Sequence, residues 1–192
     1  MKKTIYLFLV LASTLFLPSC SYNSLVSYDE AAKKAWADVE ASYQRRGDLI
    51  GNLVETVKGE AKFEQETLTA VVEARAKATS IQLKADDITP ENMAKFQEAQ
   101  SQLTGALSRL LAVAEAYPNL KATEAFQSLM NELERTENRI NIARRDYNEA
   151  VQNYNTKVRS FPANITAGLF KFKQREPFKA DAGSEKAPKV QF

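Results

Sequence analysis

The chain of 192 residues carries 26 basic and 24 acidic side chains, no histidine and one cysteine, Cys20. A single cysteine and the lack of histidine exclude an internal disulfide, a Cys/His metal cluster and the common Ser-His and Cys-His catalytic arrangements. The near balance of charge argues against a nucleic-acid partner, because nucleic acid is bound through a net excess of Lys and Arg.

The N-terminal residues have the layout of an export signal. Lys2 and Lys3 precede an apolar run from Ile5 to Leu17, which is short for a helix that crosses the roughly 30 Å hydrocarbon core of a bilayer. We therefore predict a cleaved signal peptide over residues 1–19. An uncleaved helix that spans the membrane once is the alternative.

The single cysteine lies where this apolar run gives way to polar residues. Residues 17–20, Leu-Pro-Ser-Cys, resemble the bacterial lipobox, in which the thiol receives a diacylglycerol and the chain is cut just before it. We expect a lipid on Cys20, a tether over residues 20–27 and a position outside the cytoplasm. Ser21, in place of aspartate, resembles the sorting pattern of the outer membrane in hosts with two membranes.

From residue 28 onward, helix-forming side chains fill long stretches and strand-like alternation is absent, which predicts an all-α fold. A first apolar pattern of helical spacing covers residues 28–83. Gly47 and Gly51 lie close together within it, and each costs about 1 kcal/mol relative to alanine in a helix. We expect a kink or a full break there that divides the pattern into two helices, followed by a short turn at residues 86–88.

Two further helices are predicted with defined ends. Thr89 and Pro90 are favourable residues for a helix start, and the pattern that follows continues to about Tyr117. The longest apolar stripe covers residues 123–160, and a helix of that length spans about 60 Å. The molecule should therefore be an elongated helical bundle.

The C-terminal part divides into two segments. Residues 163–172 contain a small apolar group that is expected to cover the end of the bundle, namely Ile165, Leu169, Phe170 and Phe172. Residues 173–192 are rich in Lys, Glu, Pro and Gly, with isolated apolar residues, a composition that is typical of disorder. We therefore predict a helical bundle over residues 28–172 and a disordered charged tail over residues 173–192.

Eight short strings stand at fixed places along the predicted helices. They are Tyr22-Asn23-x-Leu25-Val26, Ala35-Trp36-Ala37-x-Val39-Glu40, Gln44-Arg45-Arg46-Gly47-Asp48-Leu49-Ile50-Gly51-Asn52-Leu53-Val54, Glu73-Ala74-Arg75-Ala76, Tyr117-Pro118-Asn119-Leu120-Lys121-Ala122, Thr136-Glu137-Asn138-Arg139-Ile140, Ala143-Arg144-Arg145-x-Tyr147-Asn148 and Tyr154-Asn155. In order and spacing they resemble the LemA family of bacterial envelope proteins, from Tyr22 to Phe170.

This resemblance implies an antiparallel, up-and-down bundle of four helices, with a long N-terminal membrane anchor or signal. It also implies a family without an assigned enzymatic activity. The chain departs from the family at Gly51, where similar proteins commonly have proline. Many similar proteins keep an uncleaved membrane helix, whereas Cys20 suggests that a lipid takes its place here.

One polar cluster is a candidate site. It comprises residues near the expected helix junction and residues that face them if the helices pack antiparallel: Arg45, Arg46, Asp48, Asn52, Glu137, Asn138, Arg144, Arg145 and Asn148. Its arginines suit an anionic ligand or a partner's carboxylate. The alternative, which we favour, is that the cluster caps helix ends and sets the register between helices. Asn148 and Asn155, each preceded by a tyrosine, are expected to form internal hydrogen bonds.

Function is predicted by elimination. Only carboxylates remain to move a proton, and a slender bundle rarely offers the cleft that a carboxylate-dependent envelope hydrolase needs. We expect no enzyme, no cofactor, no metal and no small-molecule substrate. The remaining hypothesis is a membrane-tethered helical scaffold of the bacterial envelope whose partner is another envelope protein.

Overall fold

The computed structural model describes residues 2–60 and 63–179, with side chains from residue 21 onward. These residues form six helices and no strand, so the all-α prediction is confirmed for the described part. The helices are α1 (Lys2–Lys58), α2 (Gln65–Ser80), α3 (Pro90–Ala114), α4 (Pro118–Lys121), α5 (Glu124–Arg159) and α6 (Ala163–Leu169). No helix in this part of the chain has an apolar stretch long enough to cross a membrane.

Helix α1 is continuous through Gly47 and Gly51, so the expected break is wrong. The missing side chains instead let α2 approach α1 closely. A Cβ on Gly47 would lie 3.1 Å from Thr79 Cγ2, and one on Gly51 would lie 3.1 Å from the guanidinium carbon of Arg75. Arg75 Nε also donates a hydrogen bond of 2.6 Å to the Gly47 carbonyl. The helix ends at Lys58, beside Gly59.

Two antiparallel pairings organise the long helices. Helix α5 lies along α1, since Leu25 clusters with Tyr154 near one end and Arg45 pairs with Glu132 farther along. Helix α2 runs back along α3 in the same way, with contacts such as that between Lys77 and Gln102. Helix α2 also packs against α1 through the two glycines.

The predicted helix starts are confirmed by their caps. The Thr89 hydroxyl accepts a hydrogen bond from the Asn92 amide, with Pro90 at the first helical position. The Thr123 hydroxyl accepts one from the Phe126 amide at the start of α5. Such caps satisfy amides that have no partner within the helix. Helix α5 lies within one residue of the predicted bounds at each end, whereas α3 ends at Ala114, short of the expected position.

The bundle begins before residue 28, so the predicted tether over residues 20–27 needs correction. Residues 21–27 continue α1, and Leu25 is 0% exposed within a cluster of Tyr154, Val158 and Ala167. Its position continues the apolar stripe of α1 toward the N-terminus. The signal peptide predicted over residues 1–19 and the lipid on Cys20 involve side chains outside the described part, so both stay predictions.

The short helix α6 is followed by a Schellman motif that redirects the chain. The Phe172 amide donates to the Ala167 carbonyl and the Lys171 amide to the Gly168 carbonyl, with Lys171 in the left-handed region at φ 61°. Small side chains of α6 are buried, while Leu169 is 74% exposed. The expected covering role is wrong for Ile165 and Leu169, because both are exposed. The rings of Phe170 and Phe172 instead lie 4.8 and 5.8 Å from the Tyr22 ring of α1, so these two do cover that end of the helix.

Candidate functional site

Arg46 of α1 is the centre of a buried polar network that joins four helices. The side chain is 4% exposed. Nη1 donates to Glu137 Oε1 of α5 at 2.9 Å, and Nη2 donates to Gln100 Oε1 of α3 at 2.5 Å. Gln100 in turn donates to the Ala78 carbonyl of α2 at 3.4 Å. We call Arg46, Gln100 and Glu137 the arginine seam.

The seam holds a charge inside the bundle and surrounds it with compensating groups. The Tyr43 ring lies 5.0 Å from the guanidinium carbon of Arg46, close enough for a cation–π contact. Within the described residues, Arg46 Nε has no hydrogen-bond partner. A cleft of about 250 Å³ opens beside the seam between α1, α3 and α5, and its lining includes Gln97, Asn141 and Arg144. A second cleft of about 450 Å³ lies between α1, α2 and α3.

Most other members of the predicted cluster lie on the surface rather than at this seam. Arg45 pairs with Glu132 at 2.7 Å, and Asp48 lies 3.8 Å from Arg75. Arg145 faces its neighbour Asp146 at 3.7 Å, and Asn52 and Asn138 are exposed. Of the nine predicted residues, Arg46 and Glu137 are paired in the seam and Arg144 lines the cleft beside it. Arg144 and Asn148 also take part in a second contact.

That second contact holds an extended segment, residues 173–179, against α5. Asn155 Nδ2 donates to the Arg175 carbonyl and Asn155 Oδ1 accepts from the Arg175 amide, both at 2.8 Å. Asn148 does the same with Phe178, at 3.2 and 2.8 Å. The internal hydrogen bonds expected of the two asparagines are therefore confirmed, but their partner is the segment predicted to be a disordered tail. That prediction is wrong for residues 173–179, and residues 180–192 lie outside the described part.

The spacing of the two asparagines matches the spacing of an extended chain. Seven helical residues rise by about 10.5 Å, and three extended residues advance by about 10 Å. Asn148 and Asn155 therefore meet Phe178 and Arg175 in register, like two rungs of a ladder. Between them, the Tyr147 hydroxyl donates to the Glu176 carbonyl at 2.9 Å.

Phe178 is the apolar anchor of the segment. Its side chain is 5% exposed and stacks on Trp36, with ring centroids 5.7 Å apart and planes at 25°. Tyr147 and Phe96 meet the same ring at 5.7 and 6.4 Å, and the Arg144 guanidinium lies 5.0 Å from its centre. Trp36 is fixed by a hydrogen bond of 2.6 Å from Nε1 to the Leu83 carbonyl. Burying a phenylalanine side chain contributes roughly 1.5 to 3 kcal/mol, so Phe178 stabilises the docked position of the segment.

Arg175 is the polar anchor. Its Nε and Nη2 donate to Asp29 Oδ1 at 2.9 and 2.8 Å, and Nη2 also reaches Asp86 Oδ1 at 2.9 Å. Nη1 donates to the Ala85 carbonyl in the loop after α2. The hydrogen bond from Arg175 lowers the pKa of Asp86 below its usual value. We call the site that receives residues 173–179 the C-terminal groove, with Asp29, Trp36, Phe96, Tyr147, Asn148 and Asn155 as its main residues.

Burial also changes the acidity of the tyrosines that line this side of α5. Loss of solvent raises the pKa of Tyr147 to about 12 and that of Tyr154 to about 12, because burial disfavours the phenolate. Both hydroxyls are therefore neutral over the physiological range, and Tyr147 can keep donating to Glu176. In the described residues, no three acidic or cysteine side chains lie close enough together to hold a metal ion.

The comparison with known families includes both the helices and the groove. A model described as "LemA family" matches residues 35–192. The chain belongs to the LemA family. The match includes Trp36 as well as Arg175 and Phe178, so the C-terminal segment is part of the LemA region rather than an appendage to it.

Individual relatives of the chain share about a quarter of their aligned residues with it. Magnetosome protein MamQ 2 of Paramagnetospirillum magneticum is 27% identical over 174 residues, which cover 82% of this chain and 64% of that protein. Magnetosome protein MamQ of Magnetospirillum gryphiswaldense is 25% identical over the same shares. Protein LemA of Metamycoplasma hominis is 26% identical over 76% of this chain and 63% of its own length. The aligned part of this LemA-family chain therefore spans less than two thirds of these relatives.

Sequence reasoning missed the residues that build the C-terminal groove from outside α5. Asp29, Asp86, Arg175 and Phe178 were not in the predicted cluster. One signal was available, the repeat of a tyrosine followed by an asparagine at residues 147–148 and 154–155. The seven-residue spacing places both asparagine side chains on one face of a helix, where their amide groups need hydrogen-bond partners. Nothing in the composition of residues 173–179 indicated that they satisfy that face.

Proposed function

We propose that this LemA-family chain is a membrane-tethered helical scaffold of the bacterial cell envelope that acts without catalysis. The observation that carries the proposal is the arginine seam. Its charged group is buried and paired across helices, so it holds the helices in register instead of presenting a reactive group. Membership in a family of envelope proteins supports the same proposal.

The scaffold we propose is an up-and-down bundle in which α1, α2, α3 and α5 are the four main helices. Its support is the antiparallel contact of α5 with α1 and of α2 with both α1 and α3. The two short helices, α4 and α6, connect or follow these elements. Such a bundle presents long rigid faces, which suits a protein that positions other proteins.

The proposed tether is a lipid on Cys20, with the bundle outside the cytoplasm. The support is the string of residues 17–20. Two or three acyl chains give a stable anchor, because each buried methylene contributes about 0.8 kcal/mol. The serine after the cysteine favours the outer membrane where two membranes exist.

Metabolic labelling tests the tether. Labelled fatty acid should enter the wild-type protein and not Cys20→Ala, and a matched serine substitution, Ser19→Ala, should keep the label. A Cys20→Ala protein that stays in the membrane fraction and is never cleaved would favour the uncleaved helix instead. A reporter fused after Phe192 should be active only outside the cytoplasm.

Crosslinking in intact cells tests the scaffold role. The wild-type protein should yield a discrete crosslinked species after solubilisation of the membrane, and mass spectrometry of that species identifies the partner. Loss of the species in Cys20→Ala would tie the partner to the membrane. A substrate turned over by the purified protein, and no longer turned over after one Asp or Glu is substituted, would contradict the proposal.

A further inference from the structure

We propose that the C-terminal groove is a binding site for an extended peptide of a partner protein, which carries an arginine three positions before an aromatic residue. The chain's own residues 173–179 occupy this site and show what fits it. The inference rests on the scaffold function proposed above and names the chemistry of the scaffold's partner.

The groove grips main chain, which any sequence provides. Asn148 and Asn155 each form a pair of hydrogen bonds with one backbone residue of the segment. Gln97 donates to the Lys179 carbonyl at 3.1 Å. Recognition through the main chain of an extended segment supplies affinity, while side-chain pockets at intervals supply specificity. The register of two helical turns against three extended residues fixes which positions meet these pockets.

Two pockets define the required side chains. The first is anionic: Asp29, Asp86 and the Ala85 carbonyl surround the Arg175 guanidinium, and the forked contact to Asp29 favours arginine over lysine. The second is aromatic: Trp36 offers a ring face, and Tyr147 and Phe96 offer their edges. Three further side chains between residues 174 and 179 are exposed: Gln174, Pro177 and Lys179. These positions therefore place little restriction on the sequence of the bound peptide.

The groove can exist without the segment that now occupies it. Its aromatic wall belongs to helices that contact one another directly, since Trp36 meets Tyr147 at 5.2 Å and Phe96 at 5.8 Å. The segment follows α6 through the single turn at Lys171 and lies outside every helix. It can therefore leave while the pairing of α1 with α5 remains.

A cleft adjoins Lys179, the last residue of the segment that the structure describes. Gln97 and Arg144, which contact the Lys179 carbonyl, line the cleft of about 250 Å³ that leads to the arginine seam. A tethered segment competes at an effective concentration of about millimolar, so a partner held at the same membrane is the one that displaces it.

The test uses the full chain, solubilised in detergent, and a dye-labelled peptide with the sequence of residues 173–179. The double variant Arg175→Ala/Phe178→Ala weakens the internal competitor and leaves the groove walls intact. The matched control is Arg145→Ala/Leu169→Ala, which removes a similar pair of side chains from the exposed surface. A second peptide has alanine in place of the arginine and the phenylalanine. Anisotropy measures binding, and the fluorescence of Trp36, the single tryptophan, reports entry into the groove.

We expect the double variant to bind the first peptide at least about tenfold more tightly than the wild type or the control, because the competing segment no longer reduces the open fraction. Binding should change Trp36 fluorescence, and the alanine peptide should not bind. Equal binding of both peptides, or no binding by the double variant, would overturn the proposal. If circular dichroism shows that the double variant is unfolded, Phe178→Leu replaces it, with the same expectation and the same overturning result.

A second copy of the chain is the competing occupant. A wild-type dimer that is lost in Phe178→Leu would show that the groove exchanges segments between copies, and it would overturn the assignment to a different partner. The outcome is also separable from that of the scaffold proposal. Labelled Cys20 without peptide binding contradicts the groove alone, whereas peptide binding without labelled Cys20 contradicts the lipid tether alone.

Discussion

The arginine seam and the C-terminal groove lie along the same two helices, yet they are built in different ways. The seam joins side chains of four helices, and every member stands at a seam position of its own helix. The groove joins helices to a segment with no regular structure of its own. The seam therefore forms whenever the helices pack in register, whereas the groove is complete only after the chain has turned back at Lys171. The seam therefore fixes the register between the helices, whereas the groove fixes the position of residues 173–179 on them.

The largest expected effect on stability comes from the aromatic part of the C-terminal groove. Trp36→Ala removes a buried ring that contacts three other rings and donates to the Leu83 carbonyl. We expect it to lower the free energy of unfolding by about 3 to 5 kcal/mol, measured by denaturant unfolding. The exposed Tyr28→Ala is the control, with a change within about 0.5 kcal/mol. A small loss in Trp36→Ala would mean that the groove is not part of the cooperative fold.

An intermediate effect is expected at the seam. Arg46→Ala leaves the buried Gln100 amide without its charged partner, so unfolding should cost about 1 to 3 kcal/mol less. Arg45→Ala, one residue away, removes an exposed ion pair and should change stability by less than about 1 kcal/mol. Thermal unfolding of both variants measures the difference. Unchanged stability of Arg46→Ala with loss of the crosslinked partner would show that the seam binds a ligand.

The smallest effect is a dependence on acidic pH at the groove. The hydrogen bond from Arg175 lowers the pKa of Asp86, and Lys33 also faces that carboxylate. A lowered pKa means that the contact contributes stability above the unfolded value, near 3.8, and that this contribution is lost as the pH falls through the folded value. The NMR chemical shift of the Arg175 amide should therefore begin to change below about pH 4. In Asp86→Asn this acid step should shrink, and an identical step in both proteins would contradict the assignment.

The helices and their caps could be predicted from sequence because they depend on neighbours along the chain. The stripe of α5 and the cap at Thr89 are local patterns, and the structure has them where they were expected. The break predicted at Gly47 and Gly51 is absent, because helix propensity is a local property. The close packing of Thr79 and Arg75 against these glycines is a tertiary contact that propensity does not include.

The candidate site was only partly predictable, for the same physical reason. Arg46 and Glu137 share a seam that helical periodicity brings together. Phe178 stands alone among polar residues, and its burial depends on Trp36, which is more than a hundred residues earlier in the chain. An isolated apolar residue in a charged segment has no local signal that distinguishes an anchor from a solvated side chain.

Hydrogen exchange at the Arg175 and Phe178 amides tests most directly whether residues 173–179 belong to the fold. These amides donate to Asn155 Oδ1 and Asn148 Oδ1, so both should exchange far more slowly than in an unfolded chain. In Asn148→Ala, the Phe178 amide should lose more protection than the Arg175 amide. Exchange of both amides at the unfolded rate in the wild-type protein would contradict the account, because residues 173–179 would then not occupy the C-terminal groove.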